Sequence, residues 1–240
     1  MTIQLHATQV SMRFKDRVLF HIPSLTIGPN EAVYLKGANG VGKTTLLKIL
    51  AGLIKPTCGE ILPKNACLLG RLTGNLGRKD VIYLHQSPYL FDGSVFNNVA
   101  YGLKHKIKDA QLKRSEVINA LRMVGLETLA DEHISVLSGG EKQRVAMARA
   151  WVLKPSILLM DEPSASLDKE STAKLVTMAQ DLLAHGSSIV VTSHHSNELT
   201  KLCHKQWWIK ECTLVESPLL QVIDKTNHNR ESTYVVSNSD

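Results

Sequence analysis

The chain has 240 residues, 43% of them hydrophobic, which is enough for one large or two small buried cores; no apolar run approaches the roughly 20 residues that a membrane helix requires. Its formal net charge is +6, but the lysines are scattered and the densest basic stretch, KHKIKDAQLKR (Lys104 to Arg114), has no aromatic residue for base stacking, so it reads as a solvated helix near a negatively charged surface rather than a nucleic-acid site. The start, MTIQLHATQVSMRF, lacks the order of a secretory leader, and Cys58, Cys67, Cys203 and Cys212 are spaced like no common zinc site, which predicts reduced thiols.

Over the first 35 residues apolar and polar types alternate, as in TIQLHATQV and RVLFHIPSLTI, predicting short antiparallel strands. A turn at Gly28-Pro29-Asn30 leads into the strand EAVYL, and from there the pattern becomes strand, glycine loop and helix. Further apolar strands follow at VIYL, SILLM and SIVVT, which predicts an α/β domain with a mainly parallel sheet. Between Ser87 and Val152 the strand signal disappears, and VFNNVAYGLK, QLKRSEVINALRMVGL and GEKQRVAMARAWVL all read as helices. The expected organisation is a split core, 1–87 and 153–216, around a helical insert, 88–152, with a polar extension at 217–240.

Two stretches carry phosphate chemistry. GANGVGKT, Gly37 to Thr44, fits the G-x-x-x-x-G-K-[ST] phosphate loop, with a strand running in and the helix TTLLKILAGL running out. Its glycines let successive N–H groups turn onto phosphates at a helix N-terminus, Lys43 reaches the terminal phosphates, and the Thr44 hydroxyl is placed for Mg²⁺. ILLMDEP, Ile157 to Pro163, is a buried strand that delivers Asp161 and Glu162 to the C-terminal edge of the sheet. There Asp161 suits a cation, and Glu162, one residue on, can take a proton from an attacking water. A third stretch, LSGGEKQRVAMARA, places Ser138, Gly139 and Gly140 at the mouth of a helix, and Glu141 completes a capping-box pattern; capping and phosphate binding use the same N–H groups, so the two readings are compatible.

The phosphate loop, LSGGEKQRVAMARA, ILLMDEP, SASLD and VTSHH stand in the order and spacing of the ATP-binding subunits of ABC transporters, and the resemblance covers about residues 3 to 216. It implies a P-loop NTPase fold of that type with an N-terminal antiparallel β-subdomain and the helical insert, with ATP and Mg²⁺ as cofactors. It implies nucleotide contacts at Gly37, Asn39, Gly40, Gly42, Lys43, Thr44 and Thr45, and in a head-to-tail dimer Ser138, Gly139 and Gly140 would grip the partner's nucleotide. Phe14 resembles the aromatic that stacks on adenine, and taken alone it reads equally as a core or surface aromatic. Gln86 resembles the glutamine that senses Mg²⁺ and the attacking water, and Asp168 the aspartate that crosses the dimer interface. In VVTSHH the register selects His194 as the γ-phosphate contact, with His195 where an acid is common.

The resemblance departs in two places. Asn30 stands where glycine is frequent, and asparagine tolerates a positive φ. KECTLV lacks a hairpin glycine, which leaves strand pairing beyond Lys210 open. Together these features imply a peripheral ATPase at the cytoplasmic face of the membrane, working with a second copy of itself, separate permease subunits and, indirectly, a solute-binding protein. The stretch VIYLHQSPYLFDGSVFNNVAYGLK is similar to oxyanion importers of the tungstate and molybdate type, and phosphate, amino-acid and metal importers share much of it. The other readings are an exporter or lipoprotein-release ATPase and a soluble nucleic-acid or ribosome ATPase. The soluble types carry long coiled coils or tandem units, whereas Gly42 and Ser138 are only 96 positions apart.

Overall fold

The computed structural model describes residues 3–63, 80–104, 106–165 and 167–219. Alternating burial along β1 (Leu5–Phe14) and β2 (Arg17–Ile27) makes them an antiparallel pair with one face inward. β4 (Cys58–Pro63) adds to the other side of β1, giving a three-stranded sheet in the order β2-β1-β4.

The main sheet has the order β5-β6-β7-β3-β8-β9. β3 (Ala32–Lys36), β5 (Val81–Leu84), β6 (Ile157–Met160), β7 (Ser188–Thr192) and β8 (Lys205–Lys210) run parallel, as the near-continuous apolar runs AVYL, ILLM and SIVV predict for strands covered on both faces. Alternate residues feed two cores. Val33, Leu35, Leu159 and Val190 pack with Leu46, Leu47, Ile49 and Leu50 of α1 (Lys43–Leu50), whereas Tyr34, Leu158, Met160 and Val191 face the helices on the other side.

Between β5 and β6 the described residues hold α2 (Val95–Ala100), α3 (Ala110–Met123) and α4 (Gly139–Trp151) with short 3-10 turns, and no strand beyond an isolated bridge at Ser94 and His133. α5 (Lys169–Ala184) joins β6 to β7. Asn30 takes φ 58°, so the turn before β3 keeps its left-handed residue without glycine. The same holds at the end of the sheet. Glu211 and Cys212 take φ 50° and 58° in a two-residue turn, and β9 (Thr213–Pro218) pairs antiparallel with β8 from Lys210↔Thr213 to Lys205↔Pro218. The pairing left open beyond Lys210 therefore forms, and it runs past position 216. Cys58, Cys203 and Cys212 are free thiols; Cys67 and residues 220–240 lie outside the described residues.

Candidate functional site

The phosphate loop joins the C-terminal end of β3 to α1, so the first N–H groups of that helix point out of the sheet edge with no intrahelical partner. No acidic residue stands in the first turn and no side chain caps it, which leaves its positive end uncompensated. Gly42 is the N-cap at φ 108°, and a Cβ there would come within 2.9 Å of the Phe20 ring, so both conformation and packing demand glycine. Lys43 is 8% exposed; its Nζ donates to the carbonyls of Gly37 (2.8 Å) and Ala38 (3.1 Å), and it has no ion pair among the described residues. A buried ammonium held by neutral carbonyls at an open helix N-terminus is an anion site in search of its charge partner.

Facing it, the acids emerge at the end of β6. Asp161 is 4% exposed, with Oδ1 accepting from the Thr192 hydroxyl (2.8 Å) and Oδ2 from the Tyr83 hydroxyl (2.9 Å). Burial, and next the bond to Asp161, push the Tyr83 phenol far above its ordinary value, so it stays a donor. Glu162 sits at φ 48°, in the left-handed region that costs a non-glycine residue about 1–3 kcal/mol, and its N–H donates to Thr192 Oγ1 at 2.9 Å. Its carboxylate stands 2.8 Å from His194 Nε2 and accepts from Gln86 Nε2 at 3.4 Å.

A cleft of about 500 Å³ opens between the loop and Glu162, and buried Asp161 and Gly37 are not among its walls. It is walled by Asn39, Gly40, Gly42, Lys43, Thr44 and Thr45 of the loop, by Gln86, Glu162 and His194 opposite, and by Phe14 and Leu19 of the N-terminal sheet. Phe14 is 52% exposed, so it is a surface aromatic at the cleft and not a core residue. The His194 ring turns into the cleft, and that of His195 makes no hydrogen bond or ion pair among the described residues. If the cleft hydrolyses ATP, as the resemblance implies, His194→Ala is expected to lower phosphate release from purified protein at least tenfold and His195→Ala less than twofold; the reverse order would reassign the residue.

Ser138, Gly139, Gly140 and Asp168 do not line this cleft. Ser138 caps α4 in a full capping box: its Oγ accepts from Glu141 N–H at 3.3 Å, and its N–H donates back to Glu141 Oε2 at 2.8 Å. The Ser138 hydroxyl also donates to that oxygen and is the main reason the Glu141 carboxyl lies below its ordinary range. A Cβ on Gly139 or Gly140 would meet nothing within 4 Å, so neither glycine is required by packing within the chain. Glycine in a helix costs up to about 1 kcal/mol relative to alanine, and here it leaves bare, outward-facing backbone. Asp168 caps α5, and the Ser171 N–H it accepts at 2.7 Å holds its carboxyl below the ordinary range.

Three contributors escaped the sequence: Tyr83 and Thr192, which hold Asp161, and Arg17, whose guanidinium donates to Gly40 O at 3.3 Å. Tyr83 and Thr192 reach Asp161 only because β5 and β7 flank β6, a neighbourhood that no local motif encodes.

A family model described as "ABC transporter" matches residues 20–165 of the chain. The chain is 36% identical over 202 residues to the spermidine/putrescine import ATP-binding protein PotA of Spiroplasma citri (82% of this chain, 56% of that protein). It is 38% identical over 175 residues to the Fe(3+) ions import ATP-binding protein FbpC of Photobacterium profundum (72% and 49%). It thus spans about half the length of the curated relatives it matches. Among solved structures it resembles cbiO1 from Clostridium perfringens, part of the transporter complex cbiONQ, with TM-score 0.72 and 28% identity over 89% of this chain and 88% of that one. It also resembles the dimeric ATP-binding cassette MJ0796, bound to ADP and Pi after hydrolysis, with TM-score 0.74 and 26% identity over 90% and 99%.

Proposed function

The chain belongs to the ATP-binding family of the ABC transporters and has its phosphate-loop fold, and from that premise we propose that it binds and hydrolyses MgATP to drive import of a small solute through separate membrane subunits. The observation that carries this reading is the cleft itself, where an uncompensated helix N-terminus and Lys43 face Glu162, Gln86 and His194. The donor set fits ATP and Mg²⁺. Lys43, Asn39, Gly40, Gly42 and Thr45, with Gly37 behind them, would hold the phosphates, and the exposed Phe14 ring would pack on the adenine. The Thr44 hydroxyl, Asp161 and Gln86 would hold Mg²⁺, which when bound supplies neutralisation of the phosphate charge.

The remaining chemistry is the chain's own. Glu162 Oε1 and Oε2 offer the acceptor for the water proton, and His194 and Gln86 fix that carboxylate from two sides. The bare backbone at Gly139 and Gly140, beside exposed Ser138, supports a second copy of the chain as partner, each signature gripping the other's nucleotide, with Asp168 at the interface. Lys43→Ala should weaken ATP affinity at least tenfold, read by equilibrium titration with a fluorescent ATP analogue; unchanged affinity would remove the lysine from the phosphate site.

A second cleft of about 520 Å³ lies between β5 and α4, and we assign it to the permease. It is apolar, lined in part by Pro88, Tyr89, Phe91, Tyr101 and Leu153. Tyr89 and Tyr101 are 76% and 60% exposed, and through their ring contacts with Phe91 they form one exposed aromatic patch. The proposed place is peripheral, at the cytoplasmic face, where the chain would meet the permease; no helix of the described residues is long and apolar enough to cross a membrane. The proposed cargo is an oxyanion such as tungstate. This rests on the likeness around Gln86, while the matched relatives are named for spermidine/putrescine and Fe(3+) import. Uptake of labelled tungstate, spermidine and Fe³⁺ by cells with and without the chain decides the cargo, and loss of spermidine or Fe³⁺ uptake alone would replace the oxyanion.

A further inference from the structure

Thr192 is the last residue of β7 and has no solvent exposure, yet its hydroxyl stands between buried Asp161 and Glu162, the acid that lines the ATP cleft. It donates to Asp161 Oδ1 at 2.8 Å and accepts the Glu162 N–H at 2.9 Å. The backbone ladder explains why a side chain is needed there. Asp161 N–H still bonds to Leu84 O of β5, but one residue later the chain has turned into the left-handed region at φ 48°. The Glu162 N–H then faces β7 and finds the threonine oxygen. Tyr83 secures the other oxygen of Asp161 and is not bonded to Glu162.

Resting on the roles proposed above for Asp161 and Glu162, the geometry points to Thr192 as a positioning residue that sets metal ligand and base as one unit. Its hydroxyl orients the Asp161 carboxylate and, through the Glu162 N–H, keeps the base in the strained turn that faces His194 and Gln86. Valine would keep the shape but leave a buried N–H without an acceptor and a carboxylate oxygen without a donor. Tyr83 supports the metal half alone.

The test compares Thr192→Val, Thr192→Ser and Tyr83→Phe in the full-length chain. Two quantities are read: Mn²⁺ affinity in the presence of ADP, from the free-ion electron paramagnetic resonance signal, and kcat and KM for ATP as Mg²⁺ is raised to saturation. Both Thr192→Val and Tyr83→Phe should weaken Mn²⁺ about threefold to tenfold. At saturating Mg²⁺ the Tyr83→Phe defect is relieved, whereas Thr192→Val stays about 10- to 100-fold down in kcat with KM for ATP within about threefold, because the base is displaced. Thr192→Ser restores both quantities. A Thr192→Val defect that excess Mg²⁺ removes would overturn the link to Glu162, and unchanged Mn²⁺ affinity would overturn the link to Asp161. If Thr192→Val does not fold by circular dichroism, Thr192→Cys, which keeps the volume and weakens both bonds, is read in its place with the same criteria. Normal turnover by Glu162→Gln would overturn the base role beneath the proposal, and Mn²⁺ affinity would still decide the Asp161 half.

Discussion

Glu162→Gln is expected to lower ATP hydrolysis by about 10² to 10⁴ fold while leaving MgATP binding intact, which amounts to about 3 to 5 kcal/mol of barrier. The amide keeps the size of the side chain and its reach to Gln86 and His194, but it cannot take a proton from water. The backbone turn at φ 48° and the Glu162 N–H bond to Thr192 are untouched by the change, so the loss reports on the carboxylate and not on the loop. Because ATP then remains bound, the variant should accumulate as an ATP-dependent dimer in gel filtration. Phosphate release within threefold of the unmodified chain would end the assignment of Glu162 as base.

The second large effect is expected at Ser138. Ser138→Arg replaces an exposed N-cap with a long cation beside two glycines whose outer faces are open, and it should reduce hydrolysis more than 100-fold in a dimer of identical chains. Its own cleft remains complete, because Ser138 lines no part of it. That separation permits a test of trans action. In a mixed dimer of one Ser138→Arg chain and one Lys43→Ala chain, both defects fall in one composite site if the signature serves the partner, and the other site is whole. Hydrolysis should then reappear above either parent. If the signature served its own cleft, each site would carry one defect and activity would stay at the parents' level. Thiols supply a readout independent of turnover. With the native cysteines replaced, Asn39→Cys and Ser138→Cys in separate Glu162→Gln chains should crosslink through a short linker only when ATP is present. Asn39 is preferred to its neighbour because Gly40 takes φ 73°, which disfavours any side chain. Crosslinks formed equally without ATP would refute the sandwich.

What the sequence determined by itself is what local chemistry encodes. GANGVGKT between an apolar strand and a helix specifies the phosphate loop because its glycines, lysine and threonine act within eight consecutive residues. The apolar runs specify strands buried on both faces, and their alternation with helices specifies that β3, β6 and β7 run parallel. The register of VVTSHH, read through the family resemblance, selects His194 for the γ-phosphate; the structure places its ring 2.8 Å from Glu162, and the His194→Ala variant tests the role. Asn30 was legible for the same local reason, since its side chain alone decides whether a positive φ is tolerated.

Tertiary structure decided the rest. The addition of β4 to β1 joins residues some fifty positions apart, so no local pattern announces it. The β8–β9 hairpin closes over Glu211 and Cys212 at positive φ, because six residue pairs of β8 and β9 hold a turn that the local sequence disfavours. Tyr83 and Thr192 read in sequence as ordinary strand residues. They become holders of Asp161 because parallel neighbours in the sheet end at the same edge, which brings side chains from two distant segments to one carboxylate. Ser138 and Asp168 cap their helices outside the cleft, since the helices that carry them start elsewhere on the surface. A motif fixes which chemical groups are available; the register and order of the strands, set by burial across the whole sheet, fix which of those groups meet.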